Sequence, residues 1–339
     1  MTPTTAKGPR QRTWSALTVP QVRPVLEEYI ESQDADPERR RELYRSLVTQ
    51  YYDLATDFYE FGWGTSFHFA PRERGENLKA SLLRHQHSLA AQLSLGPEMT
   101  VLDAGCGVGG PMGTFARHYG ATMVGLNLNA YQIERAKHHT RDVASLCRFI
   151  HGDFMQIPEE DDRFDAAIAI ESMCHAPDRG AVFAEILRVL RPGACFLGQE
   201  WCLTERFDPQ DPEHQRIKRD ILIGAGLPDL GDNAEVRAAL AAAGFEILTE
   251  GDRAAESHPD TPWYRALQGR DLSLASIPRT PAGRALINMT LRVAQRLRLA
   301  PEGAAAVSTI LNAGGDALVA GGRAGVFTPL YCFLARKPG

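Results

Sequence analysis

A strand that runs straight into a glycine-rich turn and then a helix leaves a chain few ways to fold, and Val101-Leu-Asp-Ala-Gly-Cys-Gly-Val-Gly-Gly110 has that form. The apolar pair Val101 and Leu102 reads as a buried strand, Asp103 closes it, and a helix-compatible run begins near Pro111. Glycine tolerates the backbone angles of such a turn and lets the main chain approach a ligand with no Cβ in the way. The unpaired N–H groups of the helix start then suit a polar or anionic group. Gly105, Gly107 and Gly110 also satisfy the dinucleotide spacing G-x-G-x-x-G, so the turn by itself does not choose a cofactor.

The surrounding chain alternates between two periods. Strands are expected at 100–103, 122–126, 147–151, 166–170 and 194–200, and helices at 111–119, 130–143 and 179–190. This implies a Rossmann-like α/β fold, with a mostly parallel sheet covered by helices on both faces. Such sheets bind ligands at the carboxyl ends of their strands, where Asp103, Asn127, Asp153 and Glu171 fall. A helix at 233–243 leads to Gly244-Phe-Glu-Ile-Leu248, and the chain closes with Phe327–Ala335. These last two read as an antiparallel pair completing a seven-stranded sheet. The expected divisions are a flexible leader at 1–20, a helical lid or substrate segment at 21–95 and a cofactor-binding core at 96–250. A helical substrate-binding insert follows at 251–325, and 326–339 returns as the final strand of the core sheet.

Composition excludes several function classes. The chain of 339 residues is 44% hydrophobic and 23% charged, which is ordinary for a globular protein. A net charge of -5 with no basic stripe argues against a nucleic-acid partner. The six cysteines are scattered with no C-x-x-C pair, so neither a disulfide framework nor a metal site is expected, and a reducing, cytoplasmic setting is. The polar leader lacks the apolar core of a signal peptide, and no run of about 20 apolar residues suggests a membrane span. Peripheral membrane contact through an apolar patch and assembly into a homo-oligomer both stay open.

Tyr51–Phe69 gathers eight aromatic rings with His68 and Ser66, and Gly62 and Gly64 read as breaking its helical order. The bland alternative is a hydrophobic lid or core segment. The makeup also suits a water-excluding wall beside a cation, each ring face contributing roughly 0.5–2 kcal/mol. A connecting helix at 78–95 carries His85 and His87, read as solvated or packed.

For the cofactor, an NAD-type unit wants an acid after its second strand, and Gly125-Leu-Asn-Leu-Asn129 supplies amides instead. S-adenosylmethionine suits the pattern better. Asp103 falls near its amino-acid end beside Gly105, Gly107 and Gly109, and Asn127, Leu128 and Gln132 follow the second strand. Asp153 is placed to accept from the adenine amine, with Phe154 against the ring, while Tyr52 and Ser66 are placed at the cofactor's carboxylate.

At this point the chain resembles the sterol 24-C-methyltransferases, a branch of the class I S-adenosylmethionine-dependent methyltransferases. The resemblance runs from Tyr51 to the C-terminus. It rests on Tyr59-Glu-Phe-Gly-Trp-Gly-Thr-Ser-Phe-His-Phe-Ala-Pro-Arg72, Leu102–Pro111, Gly125–Gln132 and Asp153-Phe-Met155. Ala169-Ile-Glu-Ser-Met-Cys-His-Ala-Pro177, Glu200-Trp-Cys-Leu-Thr204, Pro262-Trp-Tyr264 and Phe327-Thr-Pro329 continue it. The aromatic and Cys-His-Ala-Pro segments are far more specific than the glycine turn. Three departures stand out. Leu222 and Ala225 replace acids of the family's I-E-x-G-D-G-L-P pattern, Ala130 follows Asn129 where the family tends to an acid, and the apolar N-terminal segment of membrane-tethered members is absent.

The resemblance implies methyl transfer to carbon 24 of a sterol side-chain double bond, with S-adenosylhomocysteine as co-product. A carbocation at carbon 25 would relax by hydride shift and loss of a proton. Tyr59, Trp63 and Phe67 would shelter the cation, with Phe69 and Trp201 completing the sterol-binding set. His68, Glu171 and His175 are the candidate bases. Each histidine could instead be a hydrogen-bonded structural residue, and Glu171 could hold cofactor or substrate. Rival readings are C-methylation of another isoprenoid alkene (a prenyl diphosphate or tocopherol precursor), O- or N-methylation of a small metabolite, and a non-catalytic lipid carrier. A diphosphate would demand a basic pocket, and Arg265, Arg270, Arg279 and Arg284 are spread out.

Overall fold

The computed structural model describes residues 22–270 and 273–339, so the leader expected at 1–20 lies outside the described residues. Seven strands form one sheet: β1 (Thr100–Ala104), β2 (Thr122–Asn127), β3 (Cys147–His151), β4 (Phe164–Ile170), β5 (Leu190–Leu203), β6 (Glu246–Asp252) and β7 (Phe327–Arg336). Their order is β3-β2-β1-β4-β5-β7-β6. β1 to β5 are mutually parallel, and β7 inserts antiparallel to both β5 and β6.

The central strands read as continuous apolar runs because both faces are buried. Leu102, Val124, Ala167 and Phe196 point to one side, against Phe183 and Ile186 of α7 (Arg179–Val189) and Leu240 of α9 (Asn233–Ala243). Val101, Met123, Ala166 and Leu197 point to the other. There they meet Leu89 of α4 (Leu78–Gln92) and Phe115 of α5 (Gly110–Tyr119). Side-chain oxygens start the helices in the usual way, by accepting from free N–H groups of the first turn. Asn129 does so for α6 (Ala130–His139), Asp178 for α7 and Asp232 for α9.

A helical layer covers the carboxyl edge of the sheet. It holds α1 (Val22–Asp34), α2 (Pro37–Glu42), α3 (Tyr44–Gly62), α8 (Pro212–Ala225), α10 (Pro281–Arg296) and α11 (Ala304–Ala324). α8 and α11 cross at Gly224 and Gly314, where a Cβ on Gly224 would stand 2.2 Å from the Gly314 Cα. Only two hydrogens facing each other permit that approach. α11 is long and apolar enough, by length and composition, to cross a membrane. Ser308, Asn312 and Asp316 interrupt its apolar run, and in the fold it packs along α8.

Several boundaries differ from expectation. The helix expected at 130–143 stops at His139, where the chain tightens into a 3-10 segment, Arg141–Leu146. α3 ends at Gly62, with the Trp63 N–H closing its last turn on the Tyr59 carbonyl at 2.7 Å and Gly64 at φ +105°, so helical order stops at these glycines as expected. Of the eight rings in this segment, Phe61 is 70% exposed and belongs to no wall.

Candidate active site

Two cavities meet at the carboxyl edge of the sheet. The first encloses about 630 Å³ of empty space, its mouth included. The turns after β1, β2, β3 and β4 line it through Gly105 and Gly107, Asn127 and Leu128, Asp153 and Phe154, and Glu171 and Ser172. Gly105 has φ +93°, and a Cβ there would lie 2.3 Å from that of Ser172, so the turn tolerates no side chain. Ser172 in turn donates to the Ala104 carbonyl at 2.6 Å and locks the β1 and β4 ends together. A Cβ on Gly107 would meet nothing within 4 Å, which leaves the backbone open to a ligand. Asp103 is 4% exposed, and its carboxylate makes no hydrogen bond or ion pair with a described residue. Burial pushes it up to about 7, and a cationic partner would reverse that.

α3 closes the cavity from above through a polar face. Asn129 donates to Asp53 at 2.8 Å, Tyr131 to Asp57 at 2.5 Å, Gln132 to Thr56 at 3.3 Å and Arg135 to Glu60 at 2.8 Å. Residues 53, 56, 57 and 60 share one face because helical neighbours recur at three and four. At the helix start Tyr44 and Arg45 both bond Asp153, Arg45 at 2.7 Å. The opposite, apolar face of α3 packs Leu47, Tyr51 and Leu54 against Leu26 and Tyr29 of α1 and Val307 of α11.

The second cavity holds about 750 Å³ of empty space including its mouth. Tyr59, Trp63, Phe67, Phe69 and Trp201 all line it, as expected. Phe69 sits among indoles, with centroids 5.2 Å from Trp63, 6.2 Å from Trp201 and 5.0 Å from Trp263. The far wall comes from α8 and α11, with Ala225, Leu227, Leu311, Gly314 and Leu318. No Arg or Lys among the described residues lines it. Among the described residues no cluster of His, Cys, Asp and Glu could hold a metal.

Tyr52, Phe67, Glu171 and His175 line both cavities and form the partition between them. Glu171 takes a left-handed φ of +52°, an uncommon conformation outside glycine. Three donors meet its carboxylate: the Phe69 N–H at 2.5 Å, Gln199 Nε2 at 2.6 Å and the Trp201 indole at 2.7 Å. Gln199 cannot be turned round, because its Nε2 also donates to the Phe69 and Pro329 carbonyls while its Oε1 accepts from His85 at 2.6 Å. Burial pushes the carboxyl up to about 8 against the pull of these donors. Its three hydrogen-bond partners donate and favour the ionised form, while burial and the Glu200 carboxylate oppose it.

The histidines are held differently. His68 is 2% exposed, and burial lowers it to about 4. In its neutral form Nδ1–H donates to the Phe69 carbonyl at 2.8 Å and Nε2 accepts from Gln86 at 2.8 Å, which leaves no free lone pair. His175, also lowered to about 4 by burial, donates through Nδ1 to the Gly226 carbonyl and accepts at Nε2 from the Tyr52 hydroxyl at 2.8 Å. Tyr59 donates to Tyr51, whose own hydroxyl serves the Gly224 carbonyl at 3.0 Å. The Tyr59 oxygen therefore keeps lone pairs for the cavity.

Not every expected cofactor residue faces the first cavity. Gly105, Gly107, Asn127, Leu128, Gln132, Asp153, Phe154, Glu171 and Tyr52 do, whereas Asp103 lies buried on β1 behind the glycine turn and is not in the lining. Gly109 packs on Ala136 and Thr140 of the α6 segment instead, with φ +81°. Ser66 packs against Gly110 at the start of α5, its hydroxyl accepting from Gln86 at 3.0 Å. Asn127 spends its amide nitrogen on the Gly107 carbonyl and Gln132, so it shapes the turn. Sequence reasoning missed Tyr44, Tyr51, Gln199 and the α8–α11 wall; the paired glycines 314 and 315 inside a helix were the available signal for the last.

Residues 102–197 match the family model described as a methyltransferase domain, and residues 274–339 the one described as sterol methyltransferase C-terminal. The cycloartenol-C-24-methyltransferase of Arabidopsis thaliana is 46% identical over 92% of this chain and 93% of its own. A sterol 24-C-methyltransferase of Saccharomyces cerevisiae is 41% identical over 90% of this chain and 82% of its own. Among solved structures, a cyclopropane synthase from Mycobacterium tuberculosis superposes with a TM-score of 0.65 at 19% identity, covering 86% of this chain and 98% of that one. That last likeness concerns the fold alone.

Proposed function

The chain belongs to the sterol 24-C-methyltransferase family, and on that premise we propose that its two adjoining cavities bring S-adenosylmethionine and the side chain of a sterol together across one thin partition. The observation that carries this reading is the partition itself: Tyr52, Phe67, Glu171 and His175 touch both spaces, so groups bound on either side would be separated by side chains alone. The first cavity fits the cofactor. It offers an open backbone at Gly107 and an apolar face at Leu128 and Phe154, and the buried carboxylate of Asp103 lies on β1 just before its glycine turn. Gly109 and Ser66 support the cradle from outside it.

S-adenosylmethionine, when bound, supplies an electrophilic methyl group, and the sterol alkene that accepts it carries positive charge until hydride shift and proton loss restore a double bond. The residues of the second cavity serve that sequence. Alignment across the partition removes much of the entropic barrier to a bimolecular step. Phe67, Trp63 and Phe69 exclude water and present ring faces, and Tyr59 adds an oxygen lone pair. With the cationic cofactor bound, Glu171 would be drawn to its ionised form and place a carboxylate, oriented by three donors, where charge develops. It is also the group in the partition best placed to take the proton, since His68 has no free lone pair and His175 receives one from Tyr52.

In this reading the helical segment before β1 acts as a lid, and the insert between β6 and β7 shapes the space for the sterol. Leu222 and Ala225, where the family pattern has acids, are 6% and 7% exposed and keep the α8 wall uncharged. A prenyl diphosphate is disfavoured, because the second cavity offers no cation to its phosphates. Incubation with methyl-labelled S-adenosylmethionine and a panel of sterols, followed by mass and NMR analysis of products, tests the proposal. Label is expected only in sterols with a side-chain double bond, at carbon 24. Equal labelling of saturated side chains, or none at all, overturns it.

A further inference from the structure

α10 has two faces. Ile287, Leu291 and Ala294 turn inward, while Leu286, Met289, Val293 and Leu297 form an exposed stripe on the opposite side. Of the eleven exposed large hydrophobic side chains among the described residues, seven lie between 274 and 299. Leu274 just before the helix is 86% exposed and Leu299 just after it 79%. Single exposed apolar residues are ordinary, but a contiguous run marks a contact surface. The charge of this stretch is equally one-sided. Residues 273–301 hold five arginines and no Asp or Glu, in a chain of net charge -5. Arg284 is tied to Asp316 at 2.7 Å, whereas Arg292, Arg296 and Arg298, all exposed, make no ion pair with a described residue.

We propose that the exposed face of α10 and its flanking turns docks flat on an anionic lipid bilayer. An apolar stripe bordered by arginines is what such a surface takes up: the stripe enters the headgroup boundary and the guanidinium groups meet lipid phosphates and carboxylates. A second copy of the chain fits less well, because a two-fold contact would bring the same unpaired arginines face to face. The position is apt if the second cavity holds a sterol, a clause that rests on the function proposed above. α10 packs on α11, whose Leu311, Gly314 and Leu318 wall that cavity. Docking would hold the cavity against the phase in which a sterol dissolves.

The test is co-sedimentation of the full chain with vesicles of phosphatidylcholine alone or mixed with phosphatidylserine. Binding is expected to the mixed vesicles and to weaken as salt rises. The double variant M289D/V293D should lower it at least tenfold, and R292E/R296E should remove the preference for phosphatidylserine. Neither pair lines a cavity, so methylation of a detergent-dispersed sterol should be unchanged in both. Absence of binding by the unaltered chain overturns the proposal, as does equal binding by M289D/V293D. A dimer in lipid-free sedimentation velocity that M289D/V293D dissociates, without vesicle binding, assigns the face to a second copy and also overturns it. Vesicle binding without turnover on any sterol would instead count against the proposed function and leave the docking surface standing.

Discussion

At the scale of single residues, Glu171 concentrates the chemistry. Its carboxylate is buried, ringed by three donors and set in the partition between two cavities. Glu171→Gln keeps the shape and removes the charge, so turnover should fall by roughly 100- to 1,000-fold. Affinity for S-adenosylmethionine, read by calorimetry, should change by no more than a few-fold. Comparable turnover in this variant would move the proton-accepting role elsewhere. His68 makes the contrast. With both ring nitrogens engaged, His68→Ala is expected to lower turnover through loosened packing while leaving the shape of the pH–rate profile intact, and a displaced profile would contradict that. The candidates could be named from sequence because Glu171 and His175 follow a strand end and His68 sits in a distinctive aromatic run. What sequence could not rank was their hydrogen bonding, since Gln86, Gln199 and Tyr52 come from distant elements. Ser66 and Gly109 show the same limit. Each lies in the right motif, but the direction it faces is set by packing against Gln86, Ala136 and Thr140.

At the scale of elements, the α8–α11 crossing decides the width of the second cavity. Gly224 and Gly314 meet backbone to backbone, so Gly224→Ala must push the helices apart. Overpacking of this kind typically costs about 1–3 kcal/mol. The expected outcome is a lower melting temperature and a raised KM for sterol, with cofactor affinity little altered because the first cavity lies on the other side of the partition. Unchanged melting and KM would show that the crossing has slack. This wall was the least legible part of the chain. α8 went unrecognised although Ile217, Ile221, Leu222 and Ala225 share one buried face, and α11 takes its identity from a partner far away in sequence. The strands and helices of the sheet were legible because each carries its own period and its own cap, as at Asn129, Asp178 and Asp232.

At the scale of the whole molecule, six buried titratable groups pull stability in opposite directions with pH. Burial holds His68, His85 and His175 at about 4, 3 and 4. Unfolding returns them towards 6.5, so between about 4 and 6.5 the unfolded chain binds the extra protons and stability from these groups rises with pH. Asp103, Glu200 and Glu171 are raised to about 7, 7 and 8. From the ordinary carboxyl range up to about 8 the folded chain holds the extra protons, so stability from these groups falls as pH rises. The two trends offset one another up to about 6.5, and above that only the carboxyls act. The ligand-free protein should therefore melt at progressively lower temperature between pH 6.5 and 8, less steeply in Glu171→Gln. A rise over that interval would refute the assignment.

The joint between α3 and α6 bears on a different question. Aspartates, a glutamate, amides and a tyrosine hydroxyl meet there, and water can satisfy each of them nearly as well as its present partner. Separating such surfaces lays bare little oil, so under the proposed function spent donor would leave and fresh donor enter along this wet seam, while the apolar face of α3 stays packed on α1 and α11.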